Sequence, residues 1–232
     1  MRIIIICIIL AFATFGCKKN EVVPNIDHSS KYYPIAKGYT WIYAVDSIVF
    51  YGNLGQNPDT FSYTVKQEVT NTTIDSSGNL SYVVDKSIKR EKDLLFRFDK
   101  SFGIQKSALE LTYNTVDTRL PILTFPLTQD KEWSGNIYTT KDEWNLISGQ
   151  SNEVECYYES VHQALDIAGN SYDSTSTVIR TKEDNAINSR YSSEIFAANI
   201  GLVQKYFENM ENFSSNDPKG SIYTYTLISF EK

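Results

Sequence analysis

The sequence predicts a mainly β protein of short antiparallel strands with few short helices, and three observations carry that expectation. Aromatic residues make up 13 % of the 232 residues, with 16 Tyr and 12 Phe. Together with abundant Thr, Val and Ile they suit a pleated, half-buried surface. Segment after segment alternates apolar and polar residues with a period of two. Turn-forming clusters separate these segments at spacings that suit hairpins.

Taken in order, Tyr39, Trp41, Tyr43 and Val45 share one face of a first strand reaching Phe50. Phe61, Tyr63 and Val65 share a face of the second. Residues 71–79 read as a turn-rich break with Ser76-Ser77-Gly78-Asn79 at its tip, and Gly52-Asn53-Leu54-Gly55 as another turn. Leu80, Tyr82 and Val84 alternate next, followed by Leu94, Phe96 and Phe98 around Arg97. Residues 99–103, DKSFG, read as a turn before Leu109, Leu111 and Tyr113.

The second half repeats the style. Residues 137–147 form a strand candidate closed by Ser148-Gly149. Val154, Cys156 and Tyr158 oppose Glu155, Tyr157 and Glu159 on the next, which ends at Ala168-Gly169-Asn170. Residues 172–181 alternate, and 222–230, IYTYTLISF, close the chain with strong β bias. Only 184–196 and 203–212 lean towards helix, and neither carries a convincing cap.

One internal echo stands out. YPIAKGYTW at 33–41 aligns without gaps to FPLTQDKEW at 125–133, an offset of 92 residues. Proline stiffens a strand entry and tryptophan plants a large apolar anchor in a core. The echo marks either duplicated halves or two strands that begin alike.

The start of the chain speaks to location. After Met1-Arg2, residues 3–16 form an uncharged run of 14, IIIICIILAFATFG. At ~1.5 Å per residue it reaches ~21 Å, short of the ~30 Å a span must cross. It reads as a secretory signal peptide. Gly16 before Cys17 resembles the lipobox of bacterial lipoproteins, with Thr14 where that motif usually has Leu. The resemblance implies cleavage before Cys17 and its acylation, palmitate included, with several chains giving a durable membrane anchor. Residues 1–16 are then a signal, 17–31 a lipidated cysteine and polar tether, and 32–232 one β-rich domain.

Charge narrows the partners. Without Arg2, one of the 22 basic side chains, 21 face 28 acidic ones, a net charge of −7. That balance disfavours nucleic acid, which wants a basic face. With Cys7 removed and Cys17 acylated, Cys156 is the single free thiol and no internal disulfide forms.

Catalytic constellations are sparse. Cys156 and His162 lie six residues apart on one strand, which shares a face but separates them by ~20 Å. His28 lies in the tether, and no G-x-S-x-G elbow occurs. One Cys and one His fall short of a zinc site. Asp184-Asn185 and Asn216-Asp217 do not resemble a calcium loop. Glu153 and Glu155 stand ~6.6–6.8 Å apart on one strand face, within the range of a glycosidase pair. A solvated face explains them more simply. No enzyme, metal or cofactor is expected. Asp46-Ser47-Ile48 and Asp173-Ser174-Thr175 fit a glycosylation triplet of lipoprotein-rich Gram-negative bacteria.

The lipobox-like start, the tether, Tyr33-Pro34-Ile35 with Gly38 and Trp41, and Phe125-Pro126-Leu127 with Trp133 together resemble uncharacterised lipoproteins of Gram-negative bacteria. Their late A-P-G-x-G-L-V segment corresponds in part to residues 197–203, AANIGLV. The resemblance implies a strongly curved antiparallel sheet, half-barrel or barrel-like, similar to the LolA/LolB carrier fold. The expectation is therefore a non-enzymatic lipoprotein at the outer membrane, on its periplasmic side. It would bind an apolar ligand or lipid in a concavity lined by Trp41, Tyr43, Tyr63, Tyr82, Phe96 and Trp133. The alternative is an accessory lipoprotein docking other envelope proteins.

Overall fold

The computed structural model describes residues 28–52, 57–74, 80–116, 118–138, 155–185, 187–211 and 217–232. The expected signal segment, Cys17, the tether as far as residue 27, Glu153 and residues 139–147 of one expected strand lie outside them.

The first half of the chain is a six-strand meander: β1 (Thr40–Tyr51), β2 (Asp59–Ile74), β3 (Leu80–Arg90), β4 (Arg97–Lys106), β5 (Glu110–Asn114) and β6 (Arg119–Thr124). The second half is another: β7 (Glu132–Ser134), β8 (Glu155–Ile167), β9 (Asn170–Asp184), β10 (Asn188–Ala197), β11 (Gly201–Glu211) and β12 (Lys219–Glu231). They join in one antiparallel sheet of order β6-β5-β4-β3-β2-β1-β12-β11-β10-β9-β8-β7. The first and last strands meet at its centre, from Thr40 opposite Glu231 to Tyr51 opposite Lys219. The expected mainly β, strongly curved antiparallel architecture is the one observed.

The sheet curls until its two ends touch, making a barrel with one seam. Among the described residues side chains, not a ladder, close that seam. The Tyr158 hydroxyl on β8 binds the Thr124 amide at 3.0 Å and its carbonyl at 2.8 Å. Arg180 on β9 donates to the carbonyls of Pro121 at 3.0 Å and Ile122 at 2.6 Å on β6. Both residues reach past β7, which is only three residues long. Proline at 121 suits this edge, where no ladder amide is needed.

Several local expectations are corrected by long-range pairing. Both helix-leaning windows are strands: residues 188–197 and 201–211 are β10 and β11, hydrogen-bonded to each other and to neighbours on their outer sides. Two ladders satisfy every backbone group that a helix would have satisfied locally. The expected turn at 99–103 lies inside β4, where Phe102 opposes Val84 and Gly103 opposes Val83. Residues 71–74 of the expected break extend β2. Residues 137–138, expected to begin a strand, form a turn after β7. Cys156 and His162 do not share a simple strand face, because register shifts interrupt β8 between Tyr158 and Gln163 and His162 has φ 57°.

One end of the barrel is plugged. A 3-10 helix, His28–Tyr32, and the segment after it enter that end. The tether expected to run to residue 31 thus ends in packed structure. Tyr32 is fully buried, and its hydroxyl meets His162 Nδ1 at 2.7 Å and Ser174 Oγ at 2.5 Å. Lys106 donates to the carbonyls of Ser30 and Tyr33, and Leu127 N–H donates to Ser29 Oγ. Tyr33, Trp41, Phe125, Leu127 and Phe196 belong to the surrounding core.

The internal echo is structural. Gly38 N–H donates to the Val69 carbonyl, Val69 N–H to Tyr39 and Tyr39 N–H to Ala36. Ninety-two residues on, Asp130 N–H donates to Tyr158, Tyr158 N–H to Lys131 and Lys131 N–H to Thr128. Gly38 and Asp130 both have positive φ, 92° and 60°. Val69 and Tyr158 each sit where the register of their strand shifts. Trp41 and Trp133 are each the second residue of the strand that follows. Each meander therefore opens with the same turn, and the halves are duplicated in architecture.

Candidate functional site: a charged cavity inside the barrel

Alternation places three charged residues on inward registers. Lys205 falls between Val203 and Phe207, Glu194 between Ser192 and Phe196, and Arg180 two residues after Val178. Lys205 and Glu194 are directly opposite on β11 and β10. Arg180 Nε and Nη2 contact Glu194 Oε2 at 2.7 and 2.5 Å, and Lys205 Nζ contacts Oε1 at 2.9 Å. The Glu194 side chain is only 9 % exposed. Burial raises its carboxyl, but Arg180 and then Lys205 outweigh that and hold it at about 2.

Across the interior stands a second charged group. Lys86 on β3 lies directly opposite Lys100 on β4. Lys86 pairs with Asp99 at 3.0 Å. Burial raises the Tyr223 phenol, Lys205 and Lys86 pull it down and Glu194 pushes it up, and the ring shares one cavity wall with all three.

Between them is a cavity of about 340 Å³. Its apolar wall includes Phe102, Ile104, Ile122, Leu202 and Phe196, and its polar wall Lys86, Lys100, Arg180, Glu194 and Lys205, with the phenols of Tyr113 and Tyr223. An apolar chamber with a few convergent polar groups is the usual form of a small-molecule site. A larger hollow, about 670 Å³, lies at the far ends of β1, β2 and β3, bordered by Ser47, Phe61, Tyr63 and the turn after β3. It lacks the converging ion network.

The six aromatic residues expected to line a concavity lie outside the 340 Å³ cavity, and Tyr63 borders the larger hollow. Trp41 and Tyr43 are buried in the core, 2 % and 1 % exposed. The Trp41 indole donates to Ile200 O at 2.7 Å and stacks on Phe230, while the Tyr43 hydroxyl donates to Leu202 O. Tyr82 packs against the core, and Trp133 lies against Tyr158 with centroids 4.8 Å apart. Phe96 lies in the turn before β4, under the Lys66 ammonium. Tyr63 borders the larger hollow and hydrogen-bonds Tyr225, a residue of the smaller one; burial pushes its phenol up to about 12. None of the six lines the 340 Å³ cavity. The signal that finds its ionic residues is a charge standing in the apolar phase of an alternating strand.

The other singled-out residues are engaged or exposed. Burial raises the Cys156 thiol, and neighbouring Arg180 offsets only part of that, which disfavours the nucleophilic thiolate. Ser174 is bonded to Tyr32, Ser47 borders the larger hollow, and Glu155 is exposed on β8. Among the described residues no three His, Cys, Asp or Glu side chains cluster as metal ligands. No described helix is long and apolar enough to cross a membrane. The segment resembling A-P-G-x-G-L-V is the β10–β11 turn, where Asn199 N–H donates to Lys31 O and a Cβ on Gly201 would lie 3.3 Å from the Trp41 indole nitrogen.

No protein-family model matches the chain, and no curated protein matches it. Among solved structures it is similar to a protein described as exported, with a YmcC-like fold, from Bacteroides fragilis: 9 % identity, 86 % of this chain and 98 % of the other, TM-score 0.47. A protein described as a lipoprotein from Parabacteroides distasonis aligns at 13 % identity over 86 % and 98 %, TM-score 0.43. A DUF1329 family protein from Desulfovibrio piger aligns at 10 % identity over 84 % and 86 %, TM-score 0.19.

Proposed function

We propose that this chain is a lipid-anchored lipoprotein of the cell envelope, held at the outer membrane on its periplasmic side. Its barrel interior binds a small apolar or amphipathic molecule without converting it. The 340 Å³ cavity carries the binding half of this reading, and the apolar leader ending at Cys17 carries the anchoring half. The volume is at the low end for small-molecule sites, which suits one chain or ring system rather than a multiply acylated lipid. The raised Cys156 thiol and the engagement of His162 by Tyr32 support binding without catalysis.

Mass spectrometry of the protein taken from its native membrane tests both halves. The expected polypeptide begins at an acylated Cys17, and its solvent extract contains a small amphiphile in near-equal amount. A polypeptide still beginning at Met1 overturns the anchor. A protein that carries no amphiphile and takes up none on titration overturns the binding role. A second reading, docking of another envelope protein, is favoured by the turn after β3, where Leu94 and Leu95 are 91 % and 78 % exposed.

A further inference from the structure

We infer that the barrel interior selects an anionic amphiphile, a single-chain molecule with a carboxylate or phosphate head. This rests on the cavity being the binding site and adds the chemistry of its occupant. The chain as a whole is acidic, with a net charge of −6, yet the cavity wall has the opposite balance. Among the described residues four cations line it, Lys86, Lys100, Arg180 and Lys205, against one carboxylate, Glu194. Asp99 neutralises Lys86. Among the described residues two of these positive charges are left over.

Like charges meet at one point of this wall. Lys86 and Lys100 are directly opposed on neighbouring strands, an arrangement in which like charges repel and destabilise a sheet. Lys100 has no ion-pair partner among the described residues. Glu194 shares one carboxylate between two cations. An anion placed between Lys100 and Lys205 relieves both deficits. The phenols of Tyr113 and Tyr223, on the same wall, supply neutral donors. The chain of such a ligand then lies against the apolar wall of Phe102, Ile104 and Leu202. A neutral lipid leaves the cations unanswered, and an inorganic anion leaves the apolar wall exposed.

The test is calorimetric titration of the full chain in phosphatidylcholine nanodiscs at pH 7.5, with empty nanodiscs subtracted. Octanoate, octyl phosphate, octan-1-ol and inorganic phosphate are the probes. Octanoate and octyl phosphate are expected to bind about tenfold tighter than octanol, the factor one charge-assisted contact gives. Lys100→Gln is expected to bring octanoate down towards the level of octanol. Equal binding of octanoate and octanol overturns the anionic selection while leaving an apolar site standing. Inorganic phosphate binding as tightly as octyl phosphate overturns the amphiphile. Failure of every probe to bind removes the cavity as a site and this inference with it.

Discussion

The Tyr158 hydroxyl holds both the amide and the carbonyl of Thr124, at 3.0 and 2.8 Å, from a residue 34 positions later in the chain. No ladder joins β6 to β8 here, so one phenol does what a strand pair does elsewhere. Tyr158→Phe removes both contacts and leaves two backbone groups without partners. The expected loss is ~1–3 kcal/mol, read from urea denaturation. Hydrogen exchange separates this from general loosening: the Thr124 amide accelerates while β1 and β12 amides do not.

Glu194 makes the fold acid-sensitive. Its carboxyl is at about 2 in the folded protein against an ordinary 4.5. A group depressed on folding contributes stability that is complete above its unfolded value and is lost as pH falls through the folded one. Stability therefore declines between about pH 4.5 and 2, and Glu194→Gln flattens that limb of a melting-temperature profile. At pH 7 the same substitution leaves Arg180 and Lys205 facing each other uncompensated and costs ~3–5 kcal/mol.

Trp41 and Trp133 begin matching strands but are held differently. Trp41 donates its indole N–H to Ile200 O at 2.7 Å, whereas the buried Trp133 N–H has no acceptor among the described residues. Trp41→Phe therefore costs ~1 kcal/mol more than Trp133→Phe, the net worth of one hydrogen bond. Equal losses in chemical denaturation contradict the assignment.

Two glycines differ in what a methyl group meets. A Cβ on Gly220 would stand 2.0 Å from the Asn209 carbonyl oxygen, with φ already 142°. One on Gly169 meets nothing within 4 Å at φ 81°. Gly169→Ala costs the ~1–2 kcal/mol of a left-handed residue. Gly220→Ala must push β11 from β12 and costs ~3 kcal/mol or more. The two are compared by thermal unfolding.

Much of the architecture was legible because alternation survives in a half-buried sheet. Trp41, Tyr43 and Val45 are all buried on the face their spacing assigned. What failed was local chemistry overruled from a distance. Residues 99–103 have turn composition, but their partners on β3 hold them extended. The windows leaning to helix become β10 and β11 because strands lie ready on both flanks. The site was less legible for the same reason. Arg180, Glu194 and Lys205 come from three strands, and each alone resembles a solvated charge. The large aromatics drew the functional reading, yet Trp41 and Tyr43 go into the core beside the plug, and the cavity's polar wall is left to charge and phenol.

Thr40 opposite Glu231 makes neighbours of the first and last strands, while the side-chain closure lies at the ends of the strand order, where β8 and β9 reach across to β6. A circular permutant cut between 124 and 132, its original ends joined by a linker that keeps the plug at 28–39, would retain each antiparallel ladder of the described strands. The seam, which has no backbone ladder among the described residues, is then where this cylinder gives way first when pulled.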